Sequence, residues 1–133
     1  MSGRQDDPQA CAALAMRFFA AVTRGDLEDV RDCYAADAGI WHNTDGMTQT
    51  PAENLRTLGF LHSRLEEIAY EEARLHAFEG GFVQQHVLTG KRRSDGARVS
   101  LAACIVCKVA AGRIVQLDEY MDSAQVQALG LTG

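Results

Sequence analysis

The chain has 133 residues, 47% of them hydrophobic and 23% charged, with a formal net charge of −5 at pH 7. That size and balance fit one globular domain with one core over residues 1–133, and the acidic charge argues against partners that demand a basic face, namely nucleic acid and anionic membranes. No apolar run approaches the ~20 residues of a membrane helix, and the start, Met-Ser-Gly-Arg-Gln-Asp-Asp, lacks the apolar stretch of a signal peptide, so a cytoplasmic location is expected.

Asp7-Pro8 predicts a helix start, with Asp as N-cap and Pro at the first helical position. Leu14, Phe18, Ala21 and Val22 form its apolar stripe, and Gly25 ends it. Asp26 caps a second helix lined by Leu27, Val30 and Tyr34. Residues 38–43 read as a short strand, and Thr44-Asp45-Gly46 as a turn. Thr50-Pro51-Ala52-Glu53 is a capping box, opening a third helix to about Glu66 with Leu55, Leu58, Leu61 and Leu65 inward.

Four long strands are then predicted, at about 68–78, 82–91, 98–109 and 113–122. Their turns fall at Gly80-Gly81, Asp95-Gly96 and Ala111-Gly112. Asp122 or Ser123 caps a last short helix that stops at Gly130. Helices first and a meander of strands after them indicate an α+β fold, with a curved sheet over a helix layer. The strand at 98–109 is apolar on both faces, which predicts a central position. Cys104 and Cys107 stand three apart on it and so face opposite ways. We expect free, mostly buried thiols there and at Cys11 and Cys33, with no metal or redox pair.

The strand at 113–122 supplies the first chemical signal. With a period of two, one face carries Val115, Leu117, Glu119 and Met121. A carboxylate among apolar neighbours is either satisfied at the rim of the core or tuned as an acid or base.

Several short pieces together resemble the nuclear transport factor 2-like superfamily, in its SnoaL-like branch. They are Thr23-Arg24-Gly25-Asp26-Leu27, Tyr34-Ala35-Ala36-Asp37, Gly112-Arg113-Ile114, Glu119-Tyr120-Met121-Asp122 and Leu129-Gly130, and the resemblance spans about residues 8–130. It implies a cone-shaped, strongly bent sheet around three helices, a deep apolar pocket at the wide end, and frequent dimers through the outer sheet face. It also implies chemistry without a cofactor on an apolar, ring-containing small molecule. Members include ketosteroid isomerase and limonene-1,2-epoxide hydrolase, alongside proteins that only bind.

The isomerase's two oxyanion donors fall here on Phe18 and among Ala103, Cys104 and Ile105, which cannot donate as they do. The epoxide hydrolase pattern puts its general base on Glu119, its bridging arginine on His86, its acid on Leu88 and a tryptophan on Leu117. From this resemblance a catalytic pair of Glu119 and His86 is expected. Counting Trp41-His42-Asn43 against that enzyme points Trp41 and Asn43 into the pocket. Counting five residues from Asp37, in the manner of the isomerase, points His42 there instead. The first count is favoured, although a single register step inverts it. Leu88, Leu101 and Leu117 are the expected apolar lining. Two functions stay open: a cofactor-free isomerase, cyclase, dehydratase or epoxide hydrolase, and a non-catalytic binding or dimerisation module.

Overall fold

The computed structural model describes residues 6–130; the two ends of the expected domain, 1–5 and 131–133, lie outside the described residues. Helices α1 (Pro8–Arg24) and α2 (Leu27–Cys33) lead into strand β1 (Tyr34–His42). A two-residue strand β2 (Thr48–Gln49) and helix α3 (Pro51–Arg64) follow. The rest is β3 (Leu65–Phe78), β4 (Gly81–Arg92), β5 (Arg98–Ala110), β6 (Arg113–Met121) and a short helix α4 (Ser123–Ala128). The expected α+β class holds.

Local chemistry sets the helix ends. The Asp7 carboxylate accepts from Ala10 N at 2.7 Å, and Gly25 closes α1 in the left-handed conformation with φ 74°. The Asp26 carboxylate accepts from Asp29 N, and Thr50 and Glu53 form a reciprocal box at the start of α3. These caps satisfy amides that have no partner within their own helix.

The six strands form one open sheet in the order β2-β1-β6-β5-β4-β3. All neighbours are antiparallel except β1 and β6, which run parallel. β5 lies between β6 and β4, as its two apolar faces predict. Its inward residues Leu101, Ala103, Ile105, Cys107 and Val109 are buried, while Cys104 and Val106 look outward and are half-buried.

The sheet bends where β3 carries two bulges. Glu67 and Glu72, at φ 55° and 53°, occupy the left-handed region at these irregularities. An extra residue at each point tightens the local twist, so β3 curls round α1. Phe19 of α1 meets Tyr70 and Phe82 edge-on, at 5.1 and 6.0 Å between ring centroids.

Three boundaries differ from the sequence reading. β1 begins at Tyr34, four residues before position 38, because Tyr34 already pairs with Ile114 and the chain bulges before Gly39 resumes the ladder. α3 stops at Arg64, where Leu65 pairs with Arg92 and becomes a sheet residue with no exposed surface. β2 is too short for any periodicity to reveal.

Candidate active site

The parallel seam between β1 and β6 sets His42 directly beside Glu119 in the ladder. Both side chains point to the inner face, where Nε2 of His42 lies 3.3 Å from Oε1 of Glu119. The two are only 15% and 18% exposed. Burial pulls the His42 pKa down, but the hydrogen bond and charge of Glu119, helped by Asp45, outweigh it and leave the imidazole above its ordinary value. A carboxylate that favours the protonated form of the imidazole beside it gives the arrangement of an acid/base pair.

This pair opens on a cavity of about 280 Å3. Its wall is largely apolar, with Phe18, Ile40, Leu88, Leu101, Ile105 and Leu117 among its residues. Val126 and Leu129, from α4 and the residue after it, close one side. A second polar group in the wall is Tyr34, 2% exposed, whose hydroxyl donates to Oδ1 of Asn54 at 2.7 Å. Burial, with smaller contributions from Cys107 and Glu119, pushes the Tyr34 phenol well above its ordinary pKa and keeps it neutral.

The SnoaL-like domain family matches residues 15–117. The chain belongs to that family. Its fold agrees with solved structures of the same class. A proposed polyketide cyclase from Xanthomonas campestris pv. campestris superposes with a TM-score of 0.83 at 16% identity, covering 96% of this chain and 100% of that one. AclR, a proposed hydroxylase from Streptomyces galilaeus, gives 0.81 at 16% identity over 95% and 99% of the two chains. An NTF2-like protein from Burkholderia xenovorans gives 0.75 at 19% identity over 94% and 98%. At such identities the likeness establishes the fold and nothing finer. No curated protein matches the sequence.

In this SnoaL-like protein the pairing of Glu119 with His86 expected from sequence is not what the sheet builds. His86 sits on β4, with β5 between it and β6, and its row runs through Ala103 to Met121. Glu119 belongs to the row of Ile105 and Gln84. Two strand spacings, about 10 Å, therefore separate the backbones. His86 is buried outside the cavity lining. Its ring centroid lies 4.3 Å from that of Tyr70, and Nδ1 is 3.0 Å from Gln84 Nε2. Nε2 of His86 has no hydrogen-bond partner among the described residues. Burial holds the His86 pKa below its ordinary value despite the opposing charge of Glu119.

The favoured orientation of β1 is also corrected. Trp41 faces the outer side, edge-on to Tyr120 at 5.3 Å. Asn43 follows the strand and grips the backbone of Met121: Nδ2 donates to the carbonyl at 3.1 Å, and Oδ1 accepts the amide at 2.8 Å. The inward residues are Ile40 and His42, the outcome of the count from Asp37. The bulge between Tyr34 and Gly39 fixes this register.

Leu88, Leu101 and Leu117 do line the cavity. Among the described residues no three His, Cys, Asp or Glu side chains gather to hold a metal ion, and no helix is long and apolar enough to cross a membrane. Sequence reasoning missed Asn54, 4% exposed. A signal existed: Asn54 stands beside Leu55 and four residues before Leu58, a polar residue on an apolar helix face.

Proposed function

We propose that this protein is a cofactor-free acid/base enzyme acting on an apolar, ring-containing small molecule, of the isomerase or cyclase type. The observation that carries this reading is the His42–Glu119 contact at 3.3 Å facing a cavity whose wall is largely apolar. Glu119 takes a proton from a carbon next to a carbonyl. The electron pair of that C–H bond moves onto the carbonyl oxygen as an enolate, and the positive imidazolium of His42 balances the charge. Where the ring carries a β,γ double bond, return of the proton to the γ-carbon gives isomerisation; attack of the enolate carbon on a second carbonyl gives cyclisation, the new alkoxide taking back the proton held by Glu119. Two solved neighbours of the same fold are proposed polyketide cyclases, which supports the cyclase reading.

The test is deuterium exchange at the α-carbon of 2-tetralone in D2O, followed by proton NMR. The wild type is expected to accelerate exchange, and Glu119→Gln to lose about 10²–10⁴-fold of that acceleration. A wild type that binds 2-tetralone without exchanging it would sink the enzymatic reading. It would leave the alternative, a carrier of apolar ligands, which the leucine at position 88 favours, since the epoxide hydrolase pattern has its acid there.

We also propose a homodimer through the outer sheet face. Trp41, Tyr120, Val106 and Cys104 leave it partly apolar, with Tyr120 48% exposed.

A further inference from the structure

The hydrogen bonds behind Tyr34 all run one way. Tyr34 donates its only proton to Oδ1 of Asn54. Nδ2 of Asn54 donates to Oε1 of Gln49 at 3.1 Å. Nε2 of Gln49 donates to Oγ1 of Thr57 at 2.9 Å, and the Thr57 hydroxyl donates to the Glu53 carbonyl at 3.3 Å. All four side chains line the cavity, and exposure rises along the row from 2% at Tyr34 and 4% at Asn54 to the exposed Thr57.

A phenol that has spent its proton can only accept. Tyr34 therefore meets the cavity with lone pairs alone, and donation into a directed chain makes it a better acceptor. An acceptor in an apolar wall is costly to desolvate without a donor. The matching ligand group is a hydrogen-bond donor such as a ring hydroxyl.

We propose that Tyr34 is a recognition subsite for a ring-borne hydroxyl, phenolic or enolic, whose proton it accepts. This deepens the reading of the cavity as a ligand site and names its substrate class as hydroxylated rings. The subsite is distinct from the His42–Glu119 pair, which handles the carbon proton.

The test compares 2-naphthol with 2-methoxynaphthalene by isothermal titration calorimetry. It uses Glu119→Gln, so that the carboxylate cannot take the hydroxyl itself. In that variant 2-naphthol is expected to bind about fivefold more tightly, the worth of one neutral hydrogen bond. Adding Tyr34→Phe should reduce the preference to less than twofold. Should Tyr34→Phe fail to fold, adding Asn54→Leu to Glu119→Gln gives the same answer by another route. It returns the Tyr34 proton to the cavity, so the methoxy compound gains and the preference again shrinks below twofold. Equal affinities in Glu119→Gln, no measurable binding of 2-naphthol to it, or a preference that survives either added change in a folded variant would overturn the proposal. Tetralone exchange reads Glu119 alone, so either result can fail while the other stands.

Discussion

Removing the negative charge of Glu119 should reverse the sign of the His42 pKa shift. At 3.3 Å, with both groups less than one fifth exposed, the gross attraction is about 5 kcal/mol at an effective dielectric of ~20, against about 1 kcal/mol in bulk water. Burial opposes it and is the largest single influence on His42, yet the imidazole still ends above its ordinary value. In Glu119→Gln the amide keeps the shape and loses the charge. Burial is then opposed only by Asp45, so His42 should titrate below the ordinary histidine value. Asp45→Asn, which removes the weaker contributor, should lower the His42 pKa while leaving it above that of Glu119→Gln. Imidazole NMR titration resolves the four histidines, and His42→Gln assigns the signal. A His42 resonance that keeps its raised pKa in Glu119→Gln would show that the pair does not form in solution.

Other expectations follow from single contacts. Linkage gives the two inner histidines opposite signs. The raised pKa of His42 contributes stability that is complete below the unfolded value near 6.5 and is lost as pH rises through the folded value. The lowered pKa of His86 makes stability fall as pH drops below about 6.5, because the unfolded chain takes the proton first. The double change Gln84→Leu with His86→Phe should keep the stacking on Tyr70 and remove the unpaired nitrogen. Urea melts should then show stability unchanged or higher at pH 7, with the loss below 6.5 reduced. Asn43→Ala removes both bonds to Met121 and should cost about 1–2 kcal/mol in the same assay. Gly81→Ala would place a Cβ 2.4 Å from the Cys107 carbonyl oxygen, a backbone atom that cannot swing away, and should cost about 1–3 kcal/mol.

What the sequence made legible was whatever is decided locally. Asp7, Gly25, Asp26 and Thr50 mark helix ends because capping is settled within four residues. The apolar face of β6, with Glu119 in it, follows from a period of two along one strand. What stayed hidden depends on which strands become neighbours. His42 and Glu119 are 77 residues apart in sequence, and nothing local says that β1 lies parallel to β6. Without that adjacency His86 was the more attractive partner, since family alignment can match a strand position without showing that β5 lies between it and Glu119. The orientation of β1 was hidden by its bulge: one unpaired stretch between Tyr34 and Gly39 decides whether His42 or Asn43 looks inward. The boundary of α3 was masked because Leu61 and Leu65 continue a helical stripe into the first residue of β3.

The β1–β6 seam closes the core and builds the site with the same bonds. Ile40 and Leu117 pair across it and are buried within the main core. Two residues further on, the same register delivers His42 to Glu119. Asn43 then ties the strand end to Met121, next to the Asp122 cap that starts α4. A one-residue slip of β1 would expose Ile40, bury Trp41 and point His42 outward. Exposing Ile40 would cost about 1.5–3 kcal/mol, and moving Trp41 would break its edge-on contact with Tyr120. The carboxylate–imidazole contact is therefore imposed by the hydrophobic register and does not have to hold itself together. Chemistry can vary at positions 42 and 119 without loss of the fold, provided the seam stays in register.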